Sequence, residues 1–185
     1  MSLPAMKNQI MTSTNLPEVW LRGALEGVEP QVMPAAHVFL QVLEDLEPIA
    51  ATLSPSQLWI EVGGAASVGF HLKHIAGSTD RLLTYARGEN LTQVQKAALA
   101  TEKETGSPPA TAQELIRQVR QAVESALNQI RKTQVSTLLS PREVGRAKLP
   151  TTVLGLLFHA AEHAQRHAGQ ITTTAKILHG LQLPR

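Results

Sequence analysis

Three histidines, His159, His163 and His167, recur at intervals of four in the segment HAAEHAQRHAGQ, residues 159–170. The chain holds only seven histidines. On a helix, residues four apart are neighbours separated by about 6 Å along the axis. The three imidazoles therefore form one stripe, continued by Gln170 and Thr174. A second segment, FHLKHIAG, puts His71 and His74 three apart on one helical face with Val68, Ile75, Ser78 and Leu82. Five of the seven histidines thus fall on two stripes that have apolar flanks.

A single histidine on an apolar face is ordinarily a hydrogen-bonded core or rim residue. Several facing one core are harder to accommodate. Protonated, they repel one another; neutral, each needs partners for two ring nitrogens. A divalent cation removes both difficulties, because it takes lone pairs from neutral imidazoles. Two histidines at i and i+4 reach one ion, and a third from a facing helix plus water completes an open site. Spacing alone leaves two pairs open, His159 with His163 or His163 with His167. The HExxH motif is absent, since Glu162 precedes the second histidine and does not follow the first.

Other chemistries find less support. With no cysteine, disulfides, thiolate metal ligands and a cysteine nucleophile are excluded. Ser78 has no Asp–His relay readable from the sequence. The segment GGAASVG lacks the Lys-Ser/Thr and the preceding strand of a phosphate-binding loop. Asp80 and Arg81 are expected on a solvated side. Glu162 lies about 100° around the helix from the stripe and is expected in a surface or inter-helix salt bridge. His37 and His179 stand alone and read as surface or helix-end residues, His179 favoured by the negative end of its helix.

These stripes require helices to carry them. In 185 residues, 43% are hydrophobic and only 3% aromatic, so aliphatic side chains must build the core, and the Ala, Leu and Gln content favours helices. A first helix is expected from about Val32 to Ala50, with Val38, Phe39, Val42, Leu43, Leu46 and Ile49 at helical period and Pro48 marking its last turn. The segment from about Ser67 to Arg87 carries His71 and His74 and stops at Gly88. A short polar helix is expected in LTQVQKAALATEKE. Another helix runs from about Ala112 to Thr133, opened by a Thr111–Glu114 capping box. The last, from about Pro150 to His179, carries the three-histidine stripe. LLSPREVGRAKLP reads as a loop. Residues 1–30 read as an irregular N-terminal arm with Trp20 as its apolar anchor, and residues 31–180 as one helical domain. Four long helices joined by loops imply an all-α fold, a four-helix bundle.

The formal net charge is +2 despite a pI of about 9.2, and no Lys/Arg run interleaves with aromatics, so no nucleic-acid partner is expected. No apolar run of about 18 residues exists, so no membrane span is expected. The N-terminal segment lacks an apolar core of signal-peptide length, which makes a cytoplasmic location the expectation.

SVGFHLKHIAG followed far downstream by LLFHAAEHAQRHAGQI resembles the DinB-like superfamily, whose DinB/YfiT-like members are metal-binding four-helix bundles. The resemblance spans roughly residues 32–180. It implies one metal ligand from the second long helix, His74, and an HxxxH pair from the last, His163 and His167. Ala168 stands where the family frequently has Arg. On this resemblance His71 and His159 become candidates to line the pocket, and Gln170 to orient a ligand or water. The implied function is divalent-metal-dependent enzymology, a thiol transferase or hydrolase that activates a thiol or water; the alternative is a non-catalytic metal-binding module of stress response or interaction. Histidine-only ligation points to zinc first and nickel next, because manganese and iron usually take a carboxylate. The implied partners are a small-molecule substrate, such as a low-molecular-weight thiol, and a second copy of the chain in a homodimer.

Overall fold

The computed structural model describes residues 16–181. Six helices and one hairpin follow in order: α1 Met33–Ala50, α2 Pro55–Leu58, α3 Val68–Ala86, α4 Gln93–Ala100, α5 Ala112–Lys132, a hairpin of β1 Pro141–Val144 and β2 Leu149–Thr152, and α6 Val153–Gly180. Short 3-10 turns at Val19–Arg22 and Val135–Thr137 complete the order. The chain is mostly helical. Among the described residues no helix is long and apolar enough to cross a membrane.

Local chemistry sets the boundaries. Ser67, Thr92, Thr111 and Thr152 each accept a hydrogen bond from the backbone N–H three residues on, which satisfies an otherwise orphaned donor at the starts of α3, α4, α5 and α6. Thr92–Gln95 and Thr111–Glu114 are full capping boxes. After α3, Gly88 adopts φ +79, a left-handed conformation that glycine enters without steric cost. Pro48 sits within the last turn of α1, where the helix is about to end.

The four long helices contact one another in a ring: α3 and α1 each pack against both α5 and α6. Phe39, Val42 and Leu46 of α1, Leu72 and Ile75 of α3, Leu115, Val119 and Ile130 of α5, and Leu157, Ile171 and Leu178 of α6 are sealed from water in one core. On α6, Ala160, Ala161, Ala164 and Ala168 are buried between these larger side chains. Methyl-sized side chains let neighbouring helices approach, and that approach brings imidazoles on α3 and α6 within contact.

Three expectations are corrected. LLSPREVGRAKLP is not a loop throughout: Pro141 pairs with Thr152 and Val144 with Leu149 in an antiparallel hairpin. Gly145 and Lys148 take positive φ in its turn, and Pro150 is tolerated because a two-stranded ribbon has only edges. Trp20 is not an anchor; it stands 62% exposed, while the adjacent Val19 is buried and its N–H donates to Gln41. His37 is not a surface residue. It is buried, with Nε2 donating to the Gly23 carbonyl at 2.9 Å, and so ties the N-terminal segment to α1. His179 is exposed at the end of α6.

Candidate metal centre

The histidine face of α3 meets that of α6. His74 Nε2 lies 2.9 Å from His163 Nε2, and His167 Nδ1 lies 3.0 Å from His71 Nδ1. His74, His163 and His167 each offer one nitrogen to a group whose ligand atoms all fall within 4.8 Å of one another. Their ring centroids are 4.6–5.1 Å apart. All three are half-buried, so solvent reaches the cluster, whereas His71 behind them is buried. Phe70 stacks nearly parallel on the ring of His74, with an interplanar angle of 14°.

The hydrogen bonds constrain where the protons sit. A carboxylate only accepts, so the 2.7 Å contact between Glu102 Oε2 and His74 Nδ1 places a proton on that Nδ1. In the neutral ring, Nε2 is then a lone pair aimed at His163. Two lone pairs 2.9 Å apart repel. If His163 instead carries its proton on Nε2, its Nδ1 becomes a bare lone pair, and that atom is buried without a partner. Each protonation pattern of neutral rings leaves a conflict; a divalent cation held by both residues would take up the facing lone pairs, with the His163 proton then on Nδ1. At the other end, donation from His167 Nδ1 to His71 leaves His167 Nε2 free for a ligand.

Three of the rings, His71, His163 and His167, are shifted towards the neutral form, the form that ligates. Burial, reinforced by the neighbouring imidazoles His74, His163 and His71, pushes His167 down to about 4 against a weaker opposing bond from Gln170. Burial and then His74 lower His71. His163 is lowered in the same way, with His159 and Arg166 adding to the effect and Glu162 opposing it. Glu102 behaves oppositely. Burial pushes its carboxyl up, but hydrogen bonds and charge from His74 and Arg81 outweigh that and hold it below the usual range.

The three residues expected as ligands are therefore together. His71 packs directly behind His167. His159 is exposed, and its Nδ1 contacts Glu162 Oε1 at 3.0 Å; its ring lies 5.4 Å from His163, on the outer side of the stripe. Glu162 makes the expected surface salt bridge, with Arg166 one turn on. Gln170 is exposed beside His167. Ser78 is buried, but its Oγ returns to the Ile75 carbonyl of its own helix. Arg81, expected on a solvated side, is 9% exposed and ion-paired to Glu102 at 3.0 Å, while Asp80 is exposed as expected. Glu102 itself carries no helical-stripe signal. Its one trace in the sequence is a carboxylate within a polar stretch, TEKE, that also contains Glu104.

The donor set fits a divalent cation: three imidazoles, two of them with a ring nitrogen already occupied by a partner that fixes the ring's orientation. Residues 39–171 match the family model described as the DinB superfamily, a span that contains both histidine motifs and Glu102. No curated protein matches the chain. With the family model covering most of its length, the chain belongs to the DinB superfamily.

Proposed function

We propose that this chain is a divalent-metal-dependent enzyme built on the DinB-type four-helix bundle, with His74, His163 and His167 as the ligands. The observation that carries the reading is the 2.9 Å approach of two imidazole nitrogens from different helices, with a third imidazole beside them and no fourth His, Cys, Asp or Glu joining the group among the described residues. Three protein ligands in a half-buried setting suit a catalytic site that keeps a coordination position open, not a closed structural one. Zinc is the first expectation and nickel the second, since Glu102 is turned to the outer side of His74 and leaves the donor set all-nitrogen.

A divalent ion bound there supplies Lewis acidity, which lowers the pKa of a water or thiol it binds. The chain's own residues supply the rest. Glu102 and His71 orient His74 and His167 through their Nδ1 atoms. Burial keeps His167 unprotonated at neutral pH, and therefore available. Phe70 covers one face of His74 and shields it from water. A chain without cysteine cannot provide a thiol, so thiol transfer requires a small thiol as co-substrate, and hydrolysis requires only water. We place the protein in the cytoplasm as a homodimer that acts on a small molecule.

The test is elemental analysis of freshly purified protein, together with a screen for thiol-dependent transfer and for hydrolysis. About one equivalent of zinc or nickel per chain, with activity that disappears on chelation and returns on reloading, is the expected result. A chain that neither carries nor takes up either ion refutes the reading.

A further inference from the structure

The segment between α3 and α5, residues 89–110, is attached to the body in an unusual way. Of its residues, Glu102 alone is buried. Helix α4 within it buries no residue at all. Its attachments are polar: Gln95 Nε2 donates to Asp80 Oδ2 and Thr84 Oγ1, Lys73 Nζ donates to the carbonyls of Thr101 and Glu104, and Trp59 Nε1 donates to the carbonyl of Ala110. A segment with few buried apolar contacts opens locally at low cost. Its one inserted side chain grips the candidate centre: Glu102 Oε2 accepts a hydrogen bond from His74 Nδ1–H at 2.7 Å, and Oε1 accepts one from Arg81 at 3.0 Å.

Gly77 shows how closely this clasp is fitted. A Cβ there would stand 2.8 Å from Arg81 Nη1 and 2.8 Å from Glu102 Oε1. Both are ends of side chains, but buried ones that can move aside only by leaving each other or His74. Glycine at 77, one helical turn after Lys73 and one before Arg81, is what lets the carboxylate sit flat on α3.

Building on the metal reading above, we propose that Glu102 is a positioning residue that couples the α4 flap to the metal centre, so that docking of residues 93–104 and a ligand-ready His74 are one and the same state. With Nε2 engaged by a cation, the Nδ1–H of His74 would be a stronger donor and its charge-assisted bond to the Glu102 carboxylate would tighten. Metal binding therefore tightens the flap, and by linkage a docked flap tightens metal binding by the same factor. With the flap open, His74 loses its Nδ1 partner and is free to turn its ring.

The experiment uses the full-length chain and Zn(II), with affinity read by chelator competition and backbone hydrogen exchange read across residues 93–104, in wild type, Glu102→Ala, Glu102→Gln and Gly77→Ala. Wild type is expected to bind Zn(II), and Zn(II) to slow exchange across 93–104. Glu102→Ala should weaken affinity by about 10–100-fold, the range for loss of a partner behind a metal-bound histidine, and should abolish the Zn(II)-dependent protection. Glu102→Gln keeps an oxygen that can accept from His74 and should fall between the two. Gly77→Ala, which removes no polar group, should also weaken binding. Helical circular dichroism of each variant separates unfolding from loss of positioning, and the partial rescue by Gln is an outcome that simple misfolding would not produce. A wild type that binds Zn(II) while Glu102→Ala and Gly77→Ala match it, or whose 93–104 exchange ignores the ion, overturns this proposal and leaves the metal reading standing. A wild type that takes up no Zn(II) overturns both.

Discussion

Acidifying the metal-free protein should destabilise it before its carboxylates titrate. His167 has an ordinary value of 6.5 and is lowered to about 4 in the fold, first by burial and then by the surrounding imidazoles. The folded state therefore keeps this ring neutral at pH values where the unfolded chain has already taken a proton. Where the unfolded state binds more protons, stability rises with pH. Stability is thus fully present above about pH 7 and is lost as pH falls through 6.5 towards 4. For this one ring the loss between pH 8 and pH 5 is about 2 kcal/mol. The ring is half-buried, and solvent screening reduces its own share to about 1 kcal/mol. His71 and His163 are shifted the same way and steepen the same slope. Urea denaturation of chelator-treated protein at half-unit steps from pH 8 to pH 5 measures it. Staying above pH 5 keeps Glu102 out of the window, because its carboxyl is held below the usual range. His167→Ala should flatten part of the slope. An unfolding free energy constant from pH 8 to pH 5 would falsify the claim that these rings are buried and neutral.

For the centre itself, His74→Ala, His163→Ala and His167→Ala should each lower Zn(II) affinity by well over about 100-fold, His71→Ala by about 10–100-fold, and His159→Ala hardly at all; metal content after dialysis ranks them. A site emptied by His159→Ala but not by His167→Ala would shift the ligand pair one turn along α6. In the core, Leu157 is fully buried, so Leu157→Ala should cost about 2–5 kcal/mol in urea denaturation, and a loss under about 1 kcal/mol would contradict the packing. Trp20→Ala should change stability by less than about 0.5 kcal/mol, given its exposure. Light scattering should report a dimer, and a monomer at every concentration would remove the homodimer from the reading.

Helices α3, α5 and α6 are readable because each announces itself twice, by an apolar stripe at period 3.6 and by a cap residue at its start, whereas α1 has the stripe alone and α4 the cap alone. Thr111 and Glu114 form the box their spacing implies, and α5 runs from Ala112 to Lys132 against an expectation of 112–133. The hairpin was not readable, because its four-residue strands hold Pro141, Arg142, Glu143 and Pro150, types that signal loops. What makes it a hairpin is tertiary: Arg142 Nε donates to the Ala86 carbonyl at the end of α3, and the backbone N–H groups of Val153 and Leu154 return to the carbonyls of Ser140 and Leu138. At Val19–Trp20 the larger side chain was the natural choice of anchor. The backbone turn there buries the smaller one and directs the indole N–H to Glu18 instead.

The same contrast divides the site. Ligand spacing within a helix is a local property, so His163 and His167 declare their shared stripe in five residues of sequence, and His71 and His74 in four. Pairing the two stripes needs only that both face the core, which their apolar flanks dictate. What completes the site is non-local. Glu102 lies 28 residues from His74 in a stretch whose every neighbour is exposed, and nothing in its own segment distinguishes it from Glu104. Its burial is stabilised by Arg81, and Arg81 in turn looks like a solvated arginine until Glu102 is there to pair with it. Each of the two is intelligible only through the other, and both only through the absence of a side chain at Gly77. A buried carboxylate without its cation would cost several kcal/mol, so this trio must form together or not at all. That interdependence separates the part of a metal centre that periodicity can reveal, the ligands, from the part that holds them in place.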